Sequence, residues 1–502
     1  MLADPYAQGL RFSAQGQHTR AIEQFERALA ANPDDPRTLF ALGNTARALG
    51  MSRPAEEFYR RVLRAEPGRL EAVVNLANLL RGQGQFAAAE ALLLPALAEN
   101  QQAPELWLTL GSTYREMGDT GRAAEHYRQA LQHWPDYAAA LGNLADLLAD
   151  EGKTGDALEL YERALKAQPD NAQARLNRAV LLLLTGDLKA GWRDYAARLK
   201  LPGKVPLPDH GLPCWNGGPL KRVRLLVTAE QGVGDQIMFA SMIPDLAGRA
   251  AAEGGSVILE CEPRLVELFA RSFPSVAVRP WDIETREGAA RTHYGWLKAA
   301  GGANAAVEMG TLPRFLRKAV DDFPPTKSYL IPDAGEAQRW RRYFAGAPLI
   351  GLCWRSGATG GHRALQYAPL ERWAAFIRGL PGTLICAQYD ANAEEIAALK
   401  TMSGRDIVVP LGLDQKNELD RTVAMLSVLD AMVSAPTAVS WLAAATGVAT
   451  CKLLYDTSWT SFGRPYEPFA PSACCIAPRV GGDWADAFAQ ANAWIMSRLV
   501  SP

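Results

Sequence analysis

An α solenoid of helical repeats followed by α/β, in two parallel-sheet domains, is the fold class that the sequence predicts. Three observations carry it. Apolar and small residues recur with a 34-residue period over the first two hundred residues, a proline- and glycine-rich break follows at 201–219, and strand-like and helix-like segments alternate from there onward. A chain of 502 residues is too long for a single core, so several domains are expected. Hydrophobic residues at 48% and charged residues at 21% are ordinary for a globular protein. A net charge of −1 supplies no global field favouring nucleic acid or an anionic membrane.

The repeats come first in the chain. Ala21, Phe25, Ala28 and Pro33 return as Ala55, Tyr59, Val62 and Pro67, then as Ala123, Tyr127, Ala130 and Pro135, and again as Ala157, Tyr161, Ala164 and Pro169. Ala89, Leu93 and Ala96 form a weaker copy without its proline. Upstream in each unit stand a large and a small residue, as in Leu39 and Gly43 or Trp107 and Gly111. Small residues let two helices approach, aromatics fill the gap, and proline ends the second helix. The pattern resembles the tetratricopeptide repeat, a helix–turn–helix unit of that period. Five units and a degenerate sixth, ending in WRDYAARLK, predict a superhelix over 1–200.

Two polar rows share the period. Asn75, Thr109, Asn143 and Asn177 form one, and Asn44, Asn78, Ser112 and Asp146 the other. Three residues apart on the first helix of each repeat, they fall on the face that lines a solenoid's concave side. Amides and hydroxyls there are suited to holding a polypeptide backbone without reading its sequence. The plainer reading is a solvated polar face. The first reading predicts that exchanging Asn75, Asn143 and Asn177 together for alanine weakens acceptor binding and spares stability.

Residues 201–219 hold five prolines and four glycines and read as a linker in which Trp215 still packs. Beyond it, VRLLVTAE, SVILECE, PLIGLCW, TLICAQY, IVVPL, AMVSA and ATCKLLY read as buried strands, with helices such as LERWAAFIRGL between them. Alternating βαβ units imply parallel sheets covered on both faces, with ligands at the carboxyl ends of the strands. A break near 331–346 divides this half into domains at 220–334 and 335–502.

The first strand runs into AEQGVGDQIMFA. Gln231, Gly232 and Gly234 make a loop that a ligand can approach closely, yet no GK[ST] follows and Ile237 stands where a dinucleotide fingerprint wants its third glycine. Asp235 is then either an N-cap satisfying orphan N–H groups or a general base for an acceptor hydroxyl. The chain contains no D-x-D triplet, no HExxH and no G-x-S-x-G, so metal-held diphosphates, zinc proteolysis and that class of hydrolase lack a motif. Seven cysteines without CxxC spacing argue against a zinc site or disulfide framework and fit reduced thiols in a cytoplasmic protein; the adjacent Cys474 and Cys475 read as structural. MLADPYAQGL carries no basic-then-apolar signal, and no apolar run approaches the ~20 residues of a membrane span.

Residues 214 to about 480 resemble a heptosyltransferase-like GT-B glycosyltransferase, through AEQGVGDQIMFA, GLCWRSG at 351–357 and VSAPTAVSWLAAATG at 433–447. With the repeats, the whole is similar to bacterial tetratricopeptide-repeat glycosyltransferases, including those that modify flagellin, and to the architecture of O-GlcNAc transferase. The resemblance implies transfer from a nucleotide-sugar to Ser or Thr of a protein held by the repeats, with Asp235 as base and no cofactor or metal. The helix opened by Thr437, Ala438, Val439 and Ser440 offers N–H groups to a diphosphate. Arg355, with His362 and Arg363 in the same loop, offers cations to it, and Gln388 and Tyr389 end a strand where base or ribose would lie, with core packing the competing reading. The chain departs from the family's V-D-T-x-x-x-H-L at Pro436 and Trp441, which argues against heptose. That departure keeps open an inactive scaffold, and a transferase acting on a glycan or lipid precursor is a third reading.

Overall fold

The computed structural model describes residues 4–201, 210–230, 232–286, 289–357, 367–478 and 483–499, with the backbone alone at 285–286 and 289–291. The chain forms two compact units, Met1–Arg175 and Leu176–Pro502.

The first unit is five antiparallel helix pairs: α1 (Pro5–Ala14) with α2 (His18–Ala31), α3 (Pro36–Ala48) with α4 (Ser52–Ala65), α5 (Leu70–Gly82) with α6 (Phe86–Glu99), α7 (Pro104–Glu116) with α8 (Thr120–His133), and α9 (Ala138–Asp150) with α10 (Thr154–Ala167). The turn inside each pair is set by a glycine in the left-handed region, at Gly16, Gly50, Gly84, Gly118 and Gly152, with φ between 72° and 84°. The repeating apolar positions are the core: Ala21, Phe25, Ala55, Tyr59, Ala89, Leu93, Ala123, Tyr127 and Ala157 are fully buried. Gly43 and Gly111 lie so close under Tyr59 and Tyr127 that a Cβ would stand 2.6 Å and 2.7 Å from the ring. Helix approach and aromatic filling are thus one device.

The polar rows are a ladder between repeats. Asn44 Oδ1 accepts from the Tyr59 hydroxyl at 2.7 Å and from Asn75 Nδ2 at 2.9 Å, across one repeat. Ser112 Oγ takes the equivalent bonds from Tyr127 at 3.2 Å and Asn143 at 3.3 Å. Asp146 accepts from Tyr161 and pairs with Arg115 at 3.0 Å. Thr109 is buried and donates to its own helix at Glu105, so its side chain is withdrawn from any peptide. Asn78 is half-buried. These bonds correct the expectation that alanine here spares stability. Asn44→Ala, which strips the hydrogen-bond acceptor from buried Tyr59, is expected to lower the stability of this unit by about 1 kcal/mol, read as a drop in melting temperature. An unchanged melting temperature would return the rows to a solvated face.

α11 (Ala172–Leu184), where Asn177 is half-buried, crosses the division, and α12 (Leu188–Tyr195) belongs to the second unit. The compact division therefore falls inside the sixth pair. The reason is Trp192, which is buried edge-on to Tyr195, Trp459, Phe462 and Phe469 at 5.5–6.4 Å between ring centroids. The linker partly packs as expected: Trp215 is buried, and its backbone N–H donates to the Ala306 carbonyl at 2.7 Å.

Two sheets follow. The first is four parallel strands in the order β3-β2-β1-β6, formed by β1 (Arg224–Thr228), β2 (Ser256–Cys261), β3 (Ala277–Pro280) and β6 (Ala305–Glu308), with a hairpin of β4 (Ile283–Arg286) and β5 (Ala289–Thr292) beside it. Its helices are α13 (Val233–Ala240), α14 (Ile243–Glu253), α15 (Val266–Ser272), α16 (Gly295–Ala299) and α17 (Pro313–Leu316). α18 (Ala334–Tyr343) leads to the second sheet, where the sequence suggests a break. That sheet is β7 (Leu349–Cys353), β8 (Thr383–Cys386), β9 (Ile407–Val408), β10 (Ala431–Ser434), β11 (Ala449–Leu453) and β12 (Ala473–Ile476), with α19 (Leu370–Arg378), α20 (Ala393–Ser403), α21 (Leu419–Leu426), α22 (Ala438–Ala445) and α23 (Trp484–Leu499). Read from β9 to β12 through β7, the order is the 3-2-1-4-5-6 of a doubly wound Rossmann sheet, and the first sheet repeats its 3-2-1-4 part. β7 and β10 are buried at every residue, as parallel strands covered on both faces must be. Among the described residues no helix is long and apolar enough to cross a membrane.

Candidate functional site

In such sheets a ligand crevice opens where the strand order reverses, outside the carboxyl ends of the central strands. Here those ends are the exits of β1 and β6 in one sheet and of β7 and β10 in the other. β1 leaves through Glu230 into α13, whose N-cap is Gly232, a residue without a side chain to make a capping bond. Asp235 is therefore the third residue of the helix, half-buried in its first turn. This corrects the N-cap reading: Gly232 holds the cap position, and Asp235 lies in the first turn, at the positive end of the helix dipole.

β10 leaves through exposed Pro436 into α22, with Thr437 as N-cap, again without a side-chain capping bond. The first N–H groups of α22 thus lack intrahelical acceptors, and no acidic residue lies in its first turn. The two helix starts touch. A Cβ on Gly234 would stand 3.5 Å from Ala438 Cα and 3.6 Å from Trp441 Cδ1, so the glycine permits a van der Waals approach of the two first turns. Trp441 lies under the Lys452 ammonium, 3.1 Å from the ring centroid, and Lys452 in turn pairs with fully buried Glu467 at 2.9 Å. Val439 and Ser440 are buried, and the Ser440 hydroxyl donates to the Thr437 carbonyl at 2.7 Å. Both therefore offer a ligand their backbone only.

At the exit of β7, Cys353 Sγ lies 3.6 Å from Thr437 Oγ1 and 3.5 Å from Gln388 Oε1. Gln388 is buried, and its Oε1 also accepts the N–H groups of Trp354 and Arg355 at 3.0 Å each, while Nε2 donates to Asp390 at 2.6 Å. Core bonding is thus what Gln388 does, and its reading as a base or ribose contact is corrected. Arg355 is claimed as well. Its guanidinium grips Glu395 at 2.6 Å and 2.7 Å and Asp390 at 2.9 Å, with the Asp390 and Ser356 carbonyls at 3.2 Å and 3.3 Å. A fork fully engaged with two carboxylates orients the loop and does not present itself to a phosphate. Tyr389 is half-buried, its hydroxyl accepts the Gly357 N–H, and burial raises its pKa. Gln231, His362 and Arg363 lie outside the described residues.

The sequence reading misses two buried acids at the same strand ends. Glu230, directly before the loop, is held by Arg198 from the sixth helix pair. Glu260, at the end of β2, is 1% exposed; its Oε2 accepts from the Ala229 N–H and from the Tyr294 hydroxyl, both at 3.3 Å, while Oε1 has no hydrogen-bond partner among the described residues. Burial pushes the Glu260 pKa up to about 7. Their signals were legible: an acid inside the apolar run SVILECE, and an arginine inside WRDYAARLK. No group of three or more His, Cys, Asp or Glu among the described residues is placed to hold a metal ion.

Comparison with known proteins identifies the first part of the chain. Tetratricopeptide-repeat models match residues 6–69 and 143–200, 53–111, and 102–170. The N-terminal region is a tetratricopeptide-repeat solenoid, and α/β sheets follow it. Protein FlbA of Caulobacter vibrioides is 31% identical over 309 residues, which is 61% of this chain and 52% of that protein. The chain thus spans about half the length of this curated relative, and a match that long extends beyond the repeats into the α/β half. Among solved structures, a thermophilic TPR protein of Thermus thermophilus is 29% identical, with 36% of this chain and 97% of that chain covered and a TM-score of 0.32. PilF of Pseudomonas aeruginosa is 20% identical, with coverage of 39% and 86% and a TM-score of 0.32.

Proposed function

We propose that the α/β half is a GT-B glycosyltransferase that moves a sugar from a nucleotide-sugar to a Ser or Thr hydroxyl of a polypeptide bound by the repeats. The observation that carries this reading is the contact of two helix starts whose N-cap residues make no side-chain capping bond, one bearing Asp235 and the other free of acid in its first turn. A diphosphate is repelled by a carboxylate and attracted by bare N–H groups, so it belongs at α22. The acid beside it belongs to the acceptor, whose hydroxyl it deprotonates as the glycosyl bond to the nucleotide breaks. The absence of a D-x-D triplet fits a leaving group held by this helix. Flagellin is the acceptor that the resemblance implies.

The test is intact-mass analysis of candidate acceptors, flagellin among them, coexpressed with and without this protein. A mass increment equal to a glycosyl residue, present only with the protein, supports the reading. An inactive scaffold is the second reading, and a specific observation favours it: Arg355 is already paired, and Pro436 and Trp441 replace polar residues. Thermal stabilisation by nucleotide-sugars separates the two. A donor at a hundredfold excess over Kd should stabilise the folded chain by about 2.7 kcal/mol. No shift with any UDP-, CMP-, GDP- or ADP-linked sugar favours the scaffold.

A further inference from the structure

We propose that Arg198, just past α12, is a positioning residue for the loop that carries Asp235; the assignment of what it positions rests on the transferase reading. The Arg198 side chain is 3% exposed, and it holds Glu230 at two points, Nη2 to Oε1 at 2.6 Å and Nε to Oε2 at 3.0 Å. The same guanidinium donates to Thr311 Oγ1 at 2.9 Å and to the Tyr195 carbonyl at 3.2 Å. Glu230 Oε1 also accepts the Gly310 N–H at 2.7 Å.

The placement gives this cluster its meaning. Glu230 leaves β1, and Gly310 and Thr311 leave β6, the neighbouring strand on the far side of the point where the order of the first sheet reverses. One buried cation therefore ties together the two strand ends between which the crevice opens. Gly310 is part of the device: a Cβ there would stand 2.6 Å from Glu230 Oε1 and 3.2 Å from Arg198 Nε. Glu230 precedes the N-cap Gly232 by two residues, so the clamp fixes the path of the chain as it enters α13. A buried ion pair contributes little stability compared with apolar packing of the same volume, whereas a planar fork on a carboxylate fixes orientation tightly. What this pair supplies is geometry. Beside Trp192, it is a second tie of the chain after α12 into the second unit.

The experiment compares wild type with Arg198→Gln/Glu230→Gln, which removes both charges together and leaves no lone buried ion. Three quantities are read: melting temperature, amide hydrogen exchange across 229–240, and kcat against donor KM. The expected result is a melting temperature close to wild type, faster exchange across 229–240, and a kcat reduced by about 10-fold to 100-fold at unchanged donor KM, as misplacement of a catalytic group produces. Wild-type kcat together with wild-type exchange overturns the proposal. Should wild type transfer no sugar to any acceptor, exchange decides alone: faster exchange upholds the clamp while the transferase reading falls, and unchanged exchange overturns the clamp. If the double variant does not fold, Arg198→Lys, which keeps the charge and loses the fork, carries the same readouts.

Discussion

Asp235→Asn is expected to cut turnover by about 10² to 10⁴ while leaving nucleotide-sugar affinity nearly unchanged, if Asp235 is the base in the proposed transfer. The amide keeps the size of the side chain but takes no proton at neutral pH. The fold sharpens this test. Gly232 holds the N-cap position, and Asp235 is the third residue of α13. Losing its charge weakens its interaction with the helix dipole, worth about 0.3–1 kcal/mol. A rate loss in a variant that melts close to wild type therefore reports chemistry. Donor affinity should hold because α22, not α13, presents acid-free N–H groups to the diphosphate. The decisive measurement is single-turnover transfer under saturating donor and acceptor. An Asn variant transferring at close to the wild-type rate there removes Asp235 from the reaction.

Period and alternation made the architecture legible. A 34-residue recurrence of small and aromatic residues can be satisfied only by a stack of helix pairs, and Tyr59 over Gly43 shows the contact that enforces it. Another signal of the same period went unread: Gly16, Gly50, Gly84, Gly118, Gly152 and Gly186 recur every 34 residues because each occupies a left-handed turn. Strands such as PLIGLCW, and IVVPL with its two-residue β9, were visible as short apolar runs, whereas β12 carries too little pattern to stand out.

The site was legible only as far as backbone chemistry reaches. A glycine loop leading into a helix and a Thr-opened helix start are statements about main chain, and the fold brings those two together at Gly234 and Ala438. Side-chain roles depend on partners far away in sequence. Gln388 looked available until Trp354 and Arg355 offered it their N–H groups, and Arg355 looked available until Glu395, 40 residues on, closed over it. The polar rows of the repeats were found for the right reason, their period, but Asn44 and Asn75 answer each other across a repeat.

Glu260→Gln is expected to stabilise the protein at pH 8 and to leave it unchanged at pH 4. Burial raises the Glu260 pKa from 4.5 to about 7, and the carboxylate receives too few hydrogen bonds to offset that burial. The sign follows from proton counting. Between pH 4.5 and 7 the folded chain keeps a proton on Glu260 that the unfolded chain has released, so folding weakens as pH rises through this window. Above about pH 7 the weakening is complete, and the 2.5-unit difference corresponds to about 3 kcal/mol. Glutamine retains an oxygen for the Ala229 N–H and never ionises, so it removes the penalty without removing the bond. The measurement is the melting temperature of the variant minus that of wild type, plotted against pH. The difference should rise from near zero at pH 4 and level off above 7; a flat difference across this range shows that Glu260 does not titrate there.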